Sequence, residues 1–503
     1  MSRVVVLGAG IAGHTAASFA RRWLPPSESV TVVTPEPDYN WVPSNIWVGV
    51  GLMRPSQVTF PLAPVYERHG IELVRGFARE VHPEGDADDP DPYVAVEPVR
   101  TAAGGTRSPA GRGPGTLEAA RGPGTLEKVR YDFLVNATGP KLRFDLTEGL
   151  GPDAHSHSVC TVEHAVQASA AFDEAVGRMR RGERQRFLVG TGHGACTCEG
   201  AAFEYIVNLE FELRARKVRD QAEIVWITNE YELGDFGMAG MHMRRGGYVV
   251  PSSIFTASLF AERGISWITR AHVQQVEAGR VCYETLDGVE HEQGFDFAML
   301  LPPFSGVGLE AFDRQGADIT DRLFLANHFM RVDADYRAKA YEDWTAEDWP
   351  RTYQSPEYPN IFAAGIAFAP PHAISRPRTS PRGTLIAPAA PRTGMPSAEI
   401  GRSVARSIVD MIMGAEGPTA TASMAEMGAA CVASAGANPF TGTAASMTVF
   451  PIVPDFARYP EYGRDMDKTF GEIGLAGHWI KILLHHLFLY KARLHPGWSL
   501  IPE

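Results

Sequence analysis

The chain opens on an unbroken apolar run, Val4-Val5-Val6-Leu7, which ends in glycine. A run this short, bounded by a turn signal, predicts a strand buried on both faces. An Ala-rich stretch to about Trp23 follows, and Pro25-Pro26 stops it as a helix would be stopped. Val30-Thr31-Val32-Val33 predicts the next strand, so the opening is β-turn-α-β, the first unit of a doubly wound α/β fold. Tyr131–Asn136 predicts a strand returning to the same sheet, and Arg186–Val189 one that starts a second glycine turn. Phe297–Leu301 and Ile361–Ala364 read as strands back in the first domain. Near the end the period changes. From His478 to Lys491, Trp479, Ile480, Leu483, Leu484, Leu487 and Phe488 share one arc of a helix, with His478, Lys481, His485 and His486 mostly opposite. Such a helix can lie in a bilayer interface with its basic side chains reaching headgroups, or dock on the core.

Two stretches break the pattern. Within 84–128, an acidic turn-rich segment precedes a tandem copy, Arg112–Glu118 repeated as Arg121–Glu127, which reads as a duplicated surface loop. A second insertion covers 333–350. At 503 residues more than one core is expected. The expected architecture is α/β, with two Rossmann-like dinucleotide-binding domains of the FAD/NAD(P) type plus a C-terminal membrane-docking region. Residues 1–146 and 297–415 form the discontinuous first domain. Residues 147–296 form the second, carrying Cys160 and Cys198. Residues 416–503 form the C-terminal region, with Cys431 and the amphipathic helix near 478–493. A net charge of −12 argues against nucleic acid as a partner. No stretch reaches the roughly 20 apolar residues that span a bilayer. The first strand leaves no room for a cleavable signal.

Gly8-Ala9-Gly10-Ile11-Ala12-Gly13 is GxGxxG between a predicted strand and helix. Gly8 permits the tight turn, Gly10 admits a pyrophosphate to the backbone, and Gly13 lets helix and strand pack closely. The helix N-terminus supplies unpaired N–H groups to the phosphates. The carboxylate that usually ends the second strand is replaced by Thr34, with Glu36 two residues on, and either can hold the ribose. Ala137-Thr138-Gly139 ends another strand with a turn common in two-dinucleotide-domain flavoproteins. Gly365 closes a late strand, where Ile366 stands in place of the usual Asp.

The five cysteines are Cys160, Cys196, Cys198, Cys282 and Cys431, an odd and scattered set that excludes a disulfide scaffold. Cys196 and Cys198 follow the second glycine turn, Gly190–Gly194, where a helix N-terminus favours thiolate. Packing is the simpler reading for Cys196, and Cys282, in an alternating strand, reads as core.

Several segments in order resemble the sulfide:quinone oxidoreductases. Tyr39–Gly51 resembles that family's segment near the flavin and contributes Ser44 and Asn45. Ser158–His164 resembles the stretch with the first cysteine, Cys160, and Cys198–Tyr205 the stretch with the second. Cys431–Gly436 resembles the third, with Ser434 where the family has Asp. Ile366 after Gly365 is a family feature, and Pro391-Arg392-Thr393-Gly394 resembles its Pro-Lys-Thr-Gly turn at the flavin ring. The resemblance implies FAD as cofactor and sulfide and a membrane quinone as substrates. It also implies a peripheral, monotopic place on the cell membrane, at the bilayer surface. A homo-oligomer is expected, and no metal.

It further implies that Cys198 and Cys431 form the redox pair, bridged directly or through sulfur at rest. Attack by hydrosulfide on one sulfur releases the other as thiolate. Cys431 is the thiolate expected to pass two electrons to the flavin, while Cys198 keeps the growing sulfur chain. Cys160 is a sulfur relay, a tether or a neighbour. His164 is a proton donor or acceptor, or a structural histidine. Asp235 stands where the family has a second histidine, and Leu484 where a quinone-contacting Phe is expected. Three other readings remain. They are a type II NADH dehydrogenase, the flavin subunit of a cytochrome-linked sulfide dehydrogenase, and a flavin-binding assembly or sensor protein without turnover.

Overall fold

The computed structural model describes residues 1–99, 126–197 and 199–503. Cys198 and nearly all of the tandem copy lie outside the described residues. The first sheet has eight strands. Arg3–Leu7 lies inside it, parallel to Ser29–Thr34 on one side and to Phe133–Asn136 on the other. Ile361–Ala363 extends the parallel part beyond Phe133–Asn136, and Glu72–His82 extends it beyond Ser29–Thr34. Val4 to Leu7 are buried because both faces of this strand are covered, which is why the sequence there is continuous rather than alternating. The chain leaves Leu7 for one neighbour and returns on the other, so strand order reverses at Gly8. That reversal opens a crevice beyond the strand's carboxyl end.

The second sheet repeats this plan with four parallel strands. Gln185–Thr191 lies between Ala222–Ile227 and Phe297–Leu301, and Ile265–Ile268 is at the edge. Phe297–Leu301 therefore belongs to the second sheet, paired Phe187 to Phe297 through Thr191 to Leu301, and not to the first domain as the sequence predicts. An apolar five-residue strand carries nothing that names its partner. Burial on both faces satisfies it equally well in either sheet.

A third sheet joins distant parts of the chain. The hairpin of Ala429–Asn438 and Thr441–Val449 pairs with Phe470–Gly474, which runs on to His242–Arg245 and Tyr248–Pro251. Helix Leu475–Ala492 follows directly and closes over the hairpin. Among the described residues no helix is long and apolar enough to cross a membrane.

Candidate active site

The first glycine turn has the shape a dinucleotide needs. Gly8 has φ +96°, and a Cβ there would sit 2.3 Å from the Ala137 carbonyl oxygen. A Cβ on Gly13 would sit 2.1 Å from the Gly8 carbonyl oxygen, so helix Ile11–Trp23 could not pack against the strand with any larger residue. Beside Gly10 nothing lies within 4 Å, which leaves that stretch of backbone open to a phosphate at the helix N-terminus. This cradle fits FAD. Ala137, Thr138 and Gly139 line the other side of the crevice, with the Thr138 hydroxyl donating to Asn136 Oδ1 at 2.8 Å. Thr34 ends its strand buried and accepts from the Glu36 amide. Burial pushes the Glu36 carboxyl above its ordinary range, and Glu163 adds to this. Gly365, at φ +66°, lies so near Ala12 that a Cβ would come within 2.6 Å of it. The Arg392 guanidinium donates to the Ile366 carbonyl at 2.6 Å and stacks over Phe329, and Thr393 precedes helix Gly394–Ile412. Ser44 and Asn45 are fully buried. Asn45 exchanges amide bonds with Asn40 and donates to the Val159 carbonyl, which ties this segment to the approach to Cys160.

One sulfur atom meets the start of helix Glu199–Ala215. Cys431, a free thiol on strand Ala429–Asn438, has its Sγ 3.3 Å from where a Cβ on Gly200 would be. Residue 431 thus meets the helix turn that directly follows position 198, far away in sequence. Cys160 is half-buried just before helix Val162–Arg180, its amide held by the Ser158 hydroxyl. Cys196 is buried, its thiol directed at the Leu301 carbonyl, and burial pushes it well above the ordinary thiol range. This is a packing environment. Cys282 lies in the outlying strand Arg280–Thr285. His164 is buried with no partner on Nδ1 among the described residues, and desolvation lowers it to about 4, so its imidazole is neutral at physiological pH. Asp235 accepts a hydrogen bond from the Ser375 hydroxyl, and burial raises its carboxyl. Glu199 and Glu230 face it as further buried carboxyls.

The second glycine turn is closed by the chain itself. A Cβ on Gly192 would meet Leu150 at 2.5 Å, and one on Gly194 would meet His272 Nδ1 at 2.5 Å and the Leu385 carbonyl at 2.6 Å. The amides of Ala387 and Ala389 donate to the Gly194 and Cys196 carbonyls, and Asn229 donates to both. Where Gly10 is open, this turn is covered by segment 385–389.

No family model matches the chain. A sulfide-quinone reductase from Aquifex aeolicus is 26% identical over 492 residues, spanning 97% of this chain and 91% of that protein. The crystal structure of the sulfide:quinone oxidoreductase from the same bacterium has a TM-score of 0.74 at 26% identity, covering 99% of this chain and 94% of that one. The chain is similar along nearly its whole length to sulfide:quinone oxidoreductase. NDH2 from Plasmodium falciparum, solved with NADH, shares the fold alone, with a TM-score of 0.58 at 13% identity over 99% of this chain and 97% of that one.

What the sequence of this oxidoreductase relative does not disclose is the orientation of helix Leu475–Ala492. Three of the four polar residues singled out on it, His478, Lys481 and His485, point inward and not to headgroups. His478 bonds the Ser434 hydroxyl at 2.6 Å and the Asn438 carbonyl at 2.9 Å. Lys481 pairs with Glu204 at 2.9 Å, and His485 shares a hydrogen bond with Ser44 at 2.8 Å. Of the four polar residues singled out, His486 alone is exposed. The outer face carries Trp479, Ile480 and Leu483, each more than half exposed, and Phe440 at the hairpin tip is 90% exposed beside them. Buried polar groups on elements far apart in sequence need partners, and three of them pull this face inward. Glu204 and Lys481 form a buried ion pair that pattern reading does not foresee. Their signal is a lone carboxylate in Ala201-Ala202-Phe203-Glu204-Tyr205-Ile206 and a lone ammonium between two isoleucines, each of which requires an opposite charge.

Proposed function

We propose that this protein oxidises sulfide to sulfur or polysulfide through Cys198 and Cys431 and passes the electrons by way of FAD to a membrane quinone. The observation that carries the reading is the contact of Cys431 with the helix turn after position 198, in a chain whose first glycine turn is open at Gly10. Similarity along the whole chain to sulfide:quinone oxidoreductase supports the substrates. Gly8, Gly10 and Gly13 hold the pyrophosphate, Thr34 and Glu36 the ribose. Ser44, Asn45, Ala137 to Gly139, Gly365, Ile366, Arg392 and Thr393 frame the rest of the cofactor. FAD, when bound, accepts an electron pair from sulfur and yields it to quinone. Hydrosulfide attacks the sulfur retained on Cys198, and Cys431 leaves as thiolate. Cys160 and His164 stand beside this route.

The inverted helix Leu475–Ala492 presents its apolar face to the bilayer, as an interfacial element with no span. A cleft between this helix and helix Ile11–Trp23, lined by Ile11, Tyr39, Trp41, Gly394 and Phe488, is the route offered to a quinone. The covered second glycine turn supports sulfide over a reduced nicotinamide as electron source. Anaerobic addition of sulfide to the FAD-loaded protein is expected to bleach the flavin within the mixing time, and decylubiquinone to restore its colour. NADH is expected to leave it oxidised. Bleaching by NADH and not by sulfide would establish a dehydrogenase instead, and bleaching by neither a non-catalytic flavoprotein.

A further inference from the structure

Helix Glu199–Ala215 places Gly200 and Glu204 one turn apart on the same face. Cys431 Sγ lies against Gly200, and the Glu204 carboxylate stands beyond it along that face. Glu204 is buried on every side. Its Oε2 meets Lys481 Nζ at 2.9 Å, and its Oε1 lies 3.4 Å from the Ser434 amide, three residues along the strand from Cys431. Lys481 arrives from the C-terminal helix, whose outer face is apolar. A thiol and a carboxylate–ammonium pair, from three elements, therefore lie along one face of this helix.

We propose that Glu204 is the proton acceptor for Cys431 and that Lys481 is the counter-ion shared between them. This deepens, and rests on, the sulfide-oxidising reading. The S–H bond of Cys431 breaks and an O–H bond forms on Glu204. The electron pair stays on sulfur, and Lys481 turns from carboxylate to thiolate. One negative and one positive charge are present before and after, so no net charge is created in a site where an uncompensated one is prohibitive. No oxidant or reductant takes part.

Burial pushes the Cys431 thiol up to about 12, Glu204 pushes the same way, and Lys481 opposes both. Burial likewise raises the Glu204 carboxyl, which makes it a stronger proton acceptor than the same group in water. Among the described residues, the other ionisable groups near this helix face are engaged elsewhere. His478 is fixed between Ser434 and Asn438, and His485 against Ser44. Glu199, the residue before Gly200, faces Glu230 and Asp235. Strand Thr441–Val449 contributes no ionisable side chain.

The test is the pH dependence of Cys431 alkylation by iodoacetamide in the FAD-loaded full chain after mild reduction, read by mass spectrometry of the peptide that contains it. Glu204→Gln leaves the ammonium unopposed and is expected to lower the midpoint by about one pH unit or more. Lys481→Met is expected to raise it by a similar amount, the scale on which a neighbouring charge acts. Lys481→Arg keeps the charge and should stay near the native midpoint. The double variant Glu204→Gln/Lys481→Met, which removes the pair whole, should fall between the single ones. A pair that merely braces helix against helix would move both single variants the same way. Shifts in one direction, no shift, or the reverse order overturns the proposal. The readout involves no sulfide, so the opposite shifts without sulfide-driven bleaching would remove the functional reading and leave the proton exchange standing.

Discussion

Cys431→Ser is expected to remove sulfide-driven bleaching of the flavin by at least about 10³-fold, the scale on which loss of a covalent nucleophile acts. Serine is close in size and can occupy the position beside Gly200, where Cys431 Sγ lies 3.3 Å from the Cβ site, so FAD content and melting temperature should change little. The chemistry cannot follow. A hydroxyl forms no bridge to sulfur and is no leaving group for hydrosulfide. Stopped-flow absorbance of the oxidised flavin under anaerobic sulfide measures the effect directly. Dithionite should still bleach the variant, which separates a lost electron source from a lost cofactor. Retention of even a tenth of the native rate would place the electron route elsewhere. Cys282→Ser, in a strand remote from the glycine crevice, is the matching control and should leave the rate unchanged.

The second large effect concerns the outward face of the C-terminal helix. Trp479, Ile480 and Leu483 are 53%, 51% and 56% exposed. Burying the exposed half of each in lipid is worth about 1 kcal/mol, since complete burial of a large apolar side chain is worth about 1.5–3. Changing all three to Gln should cost about 3 kcal/mol of bilayer partitioning, or about 100-fold in vesicle binding at 1.4 kcal/mol per decade. Co-sedimentation with phospholipid vesicles checks it. Exposed positions tolerate polar residues, so the fold should hold. Sulfide bleaching in solution should persist while reduction of a vesicle-resident quinone falls. Unchanged vesicle binding would mean that this face does not seat the protein on lipid.

The inward face of the same helix shows where pattern reading stops. A helical arc of Trp479, Leu483 and Leu487 is legible, but an arc does not state which side faces the core. In an isolated helix the apolar side would turn in and Lys481 out. Here Glu204 sits buried on a helix some 280 residues earlier and requires a cation, and Lys481 supplies it at 2.9 Å. The strand Ala429–Asn438 was equally hidden. Its sequence, Ala-Ala-Cys-Val-Ala-Ser-Ala-Gly-Ala-Asn, is poor in β-branched residues and reads as low complexity. It is a strand because Thr441–Val449 offers it a ladder and because helix Glu199–Ala215 packs on small side chains.

The local signals were enough where the physics is local. The strand-glycine-helix opening, its three glycines and the returning strand at Asn136 each depend on neighbours along the chain. They could be read from Val4 to Gly13 and from Tyr131 to Gly139 directly. Partner choice was not local. Phe297–Leu301 joined the second sheet, segment 385–389 closed the second glycine turn, and Cys431 reached Gly200 only when whole elements had packed. Sequence order fixes which backbone shapes are cheap over a few residues. Which buried charges and thiols meet is decided by long-range packing, because a desolvated group is indifferent to sequence distance and responds only to what stands within a few ångströms of it.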